Sequence, residues 1–187
     1  NYNKKNIKIL EIGSGSLEVP LKIAFDTKIK KKIHIYVVEK KNILNIYKKN
    51  IKKMNFPKNF KFFFSENINF STKYDIVHFS DVIQYFSDWK ILLNKIKKNN
   101  ASFIVFNNLT AGEIPTYQAY QKFYNFEIPY RFFNISEIIN VLKPYNLIYK
   151  TKFLNKIKGK YIEYPQKNFK KKLRLGNPCS LIFSKKF

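Results

Sequence analysis

Ile9-Leu10-Glu11-Ile12-Gly13-Ser14-Gly15-Ser16 is the stretch on which the reading of this 187-residue chain turns. From Ile7 to Ile12 the residues are β-type and apolar, with Lys8 and Glu11 as the polar breaks, and they run straight into a glycine turn. The chain has only five glycines, and two of them stand here, one residue apart. Glycine is needed where a backbone turns sharply or lets a ligand come close. A short strand ending in such a turn reads as the floor of a nucleotide-type cofactor site. The glycines alone do not choose the cofactor.

Working outward, a helix is predicted over residues 18–25, with Pro20 in its first turn, where proline is tolerated. Residues 33–38 form a second strand ending on Glu39. Asn42 is the expected N-cap of a helix whose apolar face carries Ile43, Leu44, Ile46, Tyr47, Ile51 and Met54. Residues 60–64 form a third strand, followed by Ser65-Glu66-Asn67. Residues 75–79 form a fourth, running into Ser80-Asp81. A helix over 89–96, capped by Ser87 or Asp88, leads to a fifth strand at 102–106. This β-α-β-α-β-β-α-β alternation predicts a parallel sheet covered by helices, with ligands at the carboxyl ends of its strands. Beyond it, residues 110–133 are rich in Tyr, Phe and Pro and read as an insertion. A helix over 136–142 with Ser136 as cap follows, then strands at 147–153 and 180–183. Residues 156–176 read as a basic, irregular loop or hairpin. One domain spanning residues 1–187 is expected.

The composition bounds the possibilities. A hydrophobic fraction of 45% makes a globular chain. No apolar run reaches the roughly 18 residues of a transmembrane helix. The single cysteine, Cys179, excludes an internal disulfide framework and fits a reducing cytoplasm. The chain opens on Asn1 rather than Met, so a truncated N-terminus is expected. The formal charge of +24 invites a nucleic-acid reading. Yet only Arg131 and Arg174 are arginines, and the abundance of Lys, Asn, Ile, Phe and Tyr is the pattern of A/T-rich codons. A nucleic-acid groove would favour Arg for bidentate contacts. No specific nucleic acid is expected, only a weak, salt-sensitive attraction to polyanions.

The acids are more informative than the lysines. There are 12 of them against 36 cations. Glu11, Glu39, Glu66 and Asp81 all fall at or just past the carboxyl ends of predicted strands one to four. A basic chain has thus gathered acids around one crevice, as a cationic ligand with a ribose and an amino group requires. Glu39 would accept from ribose hydroxyls. Glu66 or Asn67 would meet an adenine amino group. Glu11 and Asp81 would favour a positively charged end.

These residues carry a family resemblance. Glu11-Ile12-Gly13-Ser14-Gly15-Ser16 resembles the first motif of the class I S-adenosylmethionine-dependent methyltransferases, an acid two residues before a Gly-x-Gly turn. Glu39 stands where those enzymes keep their ribose-binding acid, and the run from Tyr74 to Phe86 resembles their fourth-strand motif. The resemblance covers about residues 7–153. It implies a Rossmann-like three-layer α-β-α sandwich, a mostly parallel seven-stranded sheet whose last, antiparallel strand is 180–183. It also implies S-adenosylmethionine as cofactor, held by Glu11, Gly13, Ser14, Gly15, Glu39, Glu66, Asn67, Ser80 and Asp81. Val82-Ile83-Gln84-Tyr85-Phe86, Tyr117-Gln118 and Pro129-Tyr130-Arg131-Phe132-Phe133 more narrowly resemble a bacterial methyltransferase group found beside surface-polysaccharide genes. That implies a small-molecule acceptor, a sugar or polysaccharide precursor. Two departures stand out. Leu17 replaces the family's third glycine, so a differently shaped turn is expected. Asn107-Asn108 replaces the acidic-basic pair of the narrower group.

The acceptor side is less legible. Gln84, Tyr85, Gln118, Tyr130 and Arg131 are its candidates, since Tyr and Gln suit a polyhydroxylated ligand. No general base stands out. His34 is expected exposed near the wrong end of strand two, and His78 reads as a satisfied core histidine. No metal site is read. Two other readings stay open: an NAD-dependent oxidoreductase, against which Glu18 stands where a small residue is wanted, and a non-catalytic or RNA-binding domain on the same fold.

Overall fold

The computed structural model describes residues 4–26, 30–152, 155–157, 160–162 and 166–185. Strands β1 (Asn6–Ile12), β2 (Lys32–Val38), β3 (Phe60–Ser65), β4 (Ile76–Ser80) and β5 (Phe103–Leu109) pair side by side in parallel. They are followed by β6 (Ala111–Gly112), β7 (Tyr117–Phe123), β8 (Phe126–Asn134), β9 (Asn146–Lys152), β10 (Asn155–Ile157), β11 (Lys160–Ile162) and β12 (Cys179–Ser184). The helices are α1 (Glu18–Phe25), α2 (Lys41–Ile51), α3 (Trp89–Asn99) and α4 (Ile135–Leu142). The main sheet has seven strands in the order β3-β2-β1-β4-β5-β12-β9. β12 runs antiparallel to both its neighbours, β5 and β9. The mostly parallel sheet with an antiparallel last strand is therefore present.

The strands are apolar on both faces because both faces are covered. Ile9, Ile33, Ile35 and Val37 pack under α1 and α2, with Ala24, Leu44 and Tyr47. Leu10, Ile12, Val77 and Phe79 face the other way, toward Trp89, Leu93 and Ile138 of α3 and α4. Alternation along β1 thus sends neighbouring residues into separate cores. Three layers result. Trp89, buried at the start of α3, meets Phe133 edge-on at 5.1 Å and ties α3 to the end of β8.

Several local expectations need correction. Asn42 is not a cap: α2 begins at Lys41, and the Lys40 backbone N–H instead donates to Glu39 Oε2 at 2.8 Å. Ile46 and Met54 are exposed rather than core residues. α3 starts after Asp88, whose side chain makes no capping hydrogen bond, and it continues to Asn99. α4 is capped by Asn134, whose Oδ1 accepts from the Ser136 N–H at 2.8 Å; Ser136 itself is inside the helix. β5 runs three residues further than expected at its C-terminal end and takes in Asn107 and Asn108. The aromatic insertion is a hairpin of β7 and β8, extended by β6. It encloses its own small core around Ile114, Tyr130 and Phe132. Phe153 and parts of the 156–176 segment lie outside the described residues.

Candidate functional site

The glycine turn is built by two different demands on its two glycines. The Gly13 N–H donates to the Val38 carbonyl at 3.1 Å, carrying the β1–β2 pairing one step past the strands. Gly13 has φ 68°, and a Cβ there would fall 2.3 Å from Val82 Cβ. Packing of the loop after β4 against the turn therefore excludes any side chain. Gly15 also has positive φ, 56°, but a Cβ there would meet nothing within 4 Å. Its empty side opens on space that a ligand can use.

Leu17 stands where the resembled motif carries its third glycine. It adopts φ 60° and ψ 16°, the left-handed conformation that a glycine would supply. Its side chain is buried in the α1–α2 core. A leucine in that conformation costs about 1–3 kcal/mol, and full burial of its side chain contributes about 1.5–3 kcal/mol. The turn thus keeps the glycine-type backbone and gains a core anchor. A second support comes from Tyr47 on α2, whose hydroxyl donates to the Gly15 carbonyl. Burial first, and then Glu39 and Glu11, push this hydroxyl up to about 12, so it stays a donor at neutral pH. At the sequence level Tyr47 read only as a face-packing aromatic, because helical periodicity does not see the hydroxyl.

The turn forms one end of a cleft of 1510 Å³ along the carboxyl edge of the sheet. That exceeds the roughly 300–1,000 Å³ of a typical small-ligand pocket, leaving room for a cofactor and an acceptor together. Gly13, Ser14 and Gly15 line it, as do Glu39 after β2 and Ser80 and Asp81 after β4. Glu66 and Asn67, after β3, complete the ring. The Ser65 hydroxyl shapes that loop: it donates to the Asn67 carbonyl at 2.8 Å and accepts the Asn67 N–H at 3.1 Å.

Glu11 is placed differently from the other acids. It is buried beneath the cleft floor, with Oε2 2.6 Å from His78 Nδ1 on the neighbouring strand, in register with it. His78 is therefore the partnered core histidine that the sequence indicates, and Glu11 is its partner. Glu11 Oε1 and the cleft-lining Ser14 Oγ are buried and have no hydrogen-bond partner among the described residues. Glu18 lies outside the cleft lining and pairs with Lys22 at 2.7 Å, which holds its carboxyl below the usual carboxylate range. His34, expected exposed, is half-buried with its ring against Phe63, because β2 is an interior strand.

Asp81 carries strain and charge together. Its φ is 50°, and Asn108, one strand away, has φ 52°. Asn108 Nδ2 donates to Asp81 Oδ2 at 2.7 Å, and Gln84 Nε2 donates to Oδ1. Partial burial pushes the Asp81 carboxyl up from its ordinary value, with the two amide donors opposing. Two left-handed non-glycine residues joined by a hydrogen bond at adjacent strand ends are the kind of stored strain found at functional sites.

On the acceptor side the structure separates the candidates. Tyr85 lines the cleft, and its hydroxyl donates to Gln121 Oε1 at 3.0 Å. Gln121 and Ile128, opposite each other on β7 and β8, also line it and went unnoticed in the sequence. Gln84 is buried and holds Asp81. Tyr130 is buried in the hairpin core, with Tyr85 edge-on to it at 5.3 Å. Arg131 acts as a clasp: Nη1 donates to the Phe86 and Ser87 carbonyls at 2.6 and 3.1 Å, and Nη2 to Gln118 at 3.0 Å. Arg131, Gln118 and Tyr130 do not line the cleft; Arg131 and Tyr130 fix the hairpin beside it. Asn107 accepts from the Ser180 hydroxyl at 2.9 Å and belongs to the β5–β12 pairing.

No protein-family model matches the chain, and no curated protein matches it. Solved structures do. An S-adenosylmethionine-dependent methyltransferase from Clostridium acetobutylicum superposes with TM-score 0.59 at 11% identity, over 97% of this chain and 84% of that one. The glycopeptide N-methyltransferase MtfA, complexed with S-adenosyl-L-homocysteine, gives TM-score 0.59 at 10% identity, over 95% and 82%. The N-terminal domain of EvdMO1, in the presence of S-adenosylhomocysteine and D-fucose, gives 0.55 at 9% identity, over 95% and 76%. At these identities the likeness is one of fold. The architecture is the seven-stranded α/β fold of the class I methyltransferases.

Proposed function

We propose that this protein is an S-adenosylmethionine-dependent methyltransferase acting on a small hydroxylated acceptor, with a saccharide or surface-polysaccharide precursor as the narrower reading. The observation that carries it is the meeting, in one cleft, of the Gly13–Gly15 turn with the strand-end carboxylates Glu39, Glu66 and Asp81 in a chain of charge +24. Carboxylates gathered against the overall charge suit a cationic ligand. The residues fit the cofactor on independent grounds: the open side of Gly15 and the unpartnered, buried Ser14 hydroxyl both offer it a seat. The antiparallel β12 beside β5 also departs from the all-parallel order of the dinucleotide-binding fold, which disfavours NAD.

S-adenosylmethionine supplies a methyl carbon on a sulfonium that is already a good leaving group, so the protein's share of the work is positioning and desolvation. Glu39 accepts from the ribose hydroxyls. Asn67 and Glu66 meet the adenine edge, with Ile43 and Ile68 as apolar walls. Ser14 and Gly15 bring the backbone close to the amino-acid end. Tyr85 and Gln121, already linked by a hydrogen bond, present paired polar groups to the acceptor. Asp81, held by two amides and raised above the ordinary carboxylate value, would take the proton from an acceptor hydroxyl. The saccharide reading rests on the resemblance at residues 82–86, 117–118 and 129–133.

The test is transfer of a labelled methyl group from S-adenosylmethionine to a panel of free and nucleotide-linked sugars. Labelled product that disappears with Asp81→Asn supports the reading, provided cofactor affinity is retained. A protein that fails to bind S-adenosylmethionine refutes it.

A further inference from the structure

The β7–β8 hairpin carries a feature that a methyl-transfer cleft does not need. Tyr120 is 63% exposed, Tyr124 90% and Phe126 72%, all within seven residues at its tip. Phe123 pairs with Phe126, so Tyr124 and Asn125 form a two-residue turn. Tyr124 occupies its left-handed position, φ 54°, where Asn or Gly is the ordinary choice. The tip therefore presents large rings to solvent where small polar residues would serve the turn better.

The base of the same hairpin is bound to a basic strap. The Phe169 ring stands edge-on to Tyr117 and Phe132 at 6.0 and 6.1 Å, and the Tyr117 hydroxyl donates to the Leu173 carbonyl at 2.7 Å. The strap's Lys167, Lys170, Lys171 and Lys172 are exposed, and no acid occurs from residue 166 to 187. Arg174 is occupied internally, donating to the Phe169 and Lys167 carbonyls. Aromatic tip, lysine strap and the cleft residues Gln121 and Ile128 thus belong to one structural unit.

We propose that this unit docks the protein peripherally on an anionic lipid surface. Tyr and Phe rings settle at the headgroup boundary, and lysines are drawn to anionic headgroups while their stems lie along apolar surface. The rings sit at and beside the two-residue turn that ends the hairpin, a position that suits a bilayer better than the channel that threads a nucleic-acid strand. The lysines are point charges without the planar fork that reads base edges. On the proposed methyltransferase reading, Gln121 and Ile128 of the same hairpin would then stand near a lipid-borne acceptor. No helix of the described residues is long and apolar enough to cross a membrane.

Vesicle co-sedimentation of the full chain at about 0.15 M salt tests this, because diffuse charge attraction is largely screened there. Vesicles of phosphatidylcholine with about 30% phosphatidylglycerol should bind it at least about tenfold better than phosphatidylcholine alone. The triple variant Tyr120→Ser, Tyr124→Ser, Phe126→Ser should lose at least about tenfold on the same anionic vesicles, with its melting temperature unchanged. Lys170→Gln, Lys171→Gln, Lys172→Gln should weaken binding to the anionic vesicles only. The proposal is overturned if the wild-type protein stays in the supernatant. It is equally overturned if the ring-deleted variant sediments as well as wild type, since binding is then diffuse charge. Loss of a dimer, or of single-stranded RNA binding, in the ring-deleted variant without any vesicle binding by the wild type also overturns it.

Discussion

The Gly13–Leu17 turn and the β7–β8 hairpin flank the same cleft but are built by opposite means. The turn is held by backbone geometry: positive φ at Gly13, Gly15 and Leu17, a backbone bond to Val38, and close packing under Val82. The hairpin is held by side chains from distant parts of the chain: Arg131 on the Phe86 and Ser87 carbonyls, Tyr85 on Gln121, Phe169 on Tyr117. The first is a fixed floor, while the second is an attached wall. The difference teaches that the proposed cofactor end and the proposed acceptor end can be perturbed separately.

The largest effect should come from the floor. Gly13→Ala puts a Cβ into Val82 and strains a left-handed φ, and should destabilise the protein by about 3 kcal/mol or more. Gly15→Ala meets no atom, so denaturant melts should show about 1 kcal/mol from backbone strain alone. Its cofactor affinity should nonetheless fall steeply. Equal melts for the two variants would mean that Val82 does not confine the turn. Next comes Glu39→Ala, expected to weaken S-adenosylmethionine binding by about 1–3 kcal/mol through lost charged hydrogen bonds, with stability falling by no more than about 1 kcal/mol from the lost bond to the Lys40 N–H. Calorimetry showing no loss would remove the ribose role.

On the wall, Arg131→Ala should cost about 1–2 kcal/mol of stability by leaving the Phe86 and Ser87 carbonyls unpaired. Cofactor affinity should stay within about twofold; a larger fall would join the two ends into one unit. Tyr47→Phe should cost about 1 kcal/mol in cofactor binding by freeing the Gly15 carbonyl. The smallest expected effect is a pH slope from Asp81. Its folded-state value is raised, so the folded state holds the proton more tightly and stability falls as pH rises from the ordinary carboxylate value through the raised one. Asp81→Asn should flatten that slope in pH-dependent melts, and an unaltered slope would assign it to other groups.

How much of this was legible follows the same division. The five parallel strands and the helices could be read because their apolar periodicity is local, while the antiparallel direction of β12 came from the family resemblance. Glu39, Glu66 and Asp81 could be placed at one crevice because parallel topology puts every strand's end on one edge. Glu11 could not be distinguished from them, since alternation alone does not tell a strand-end acid in the cleft from one packed on His78 beneath it. Leu17 showed itself as a departure from the motif, but only its φ and burial show that it takes a left-handed backbone and anchors in the core. Arg131 and Tyr130 were read as ligand contacts from their residue types, whereas their partners lie 45 residues away for Arg131 and Phe86, a separation that no periodicity encodes. Gln121 and Ile128, and the hydroxyl of Tyr47, passed unnoticed for the same reason: each matters through a contact between distant segments.

The most direct test of the central claim is paired calorimetric titration of the protein with S-adenosylmethionine and with NAD. The account predicts saturable binding of S-adenosylmethionine at about micromolar strength or better, equivalent to roughly −8 kcal/mol, and no heat with NAD. Absence of binding to S-adenosylmethionine, or a clear preference for NAD, would contradict it.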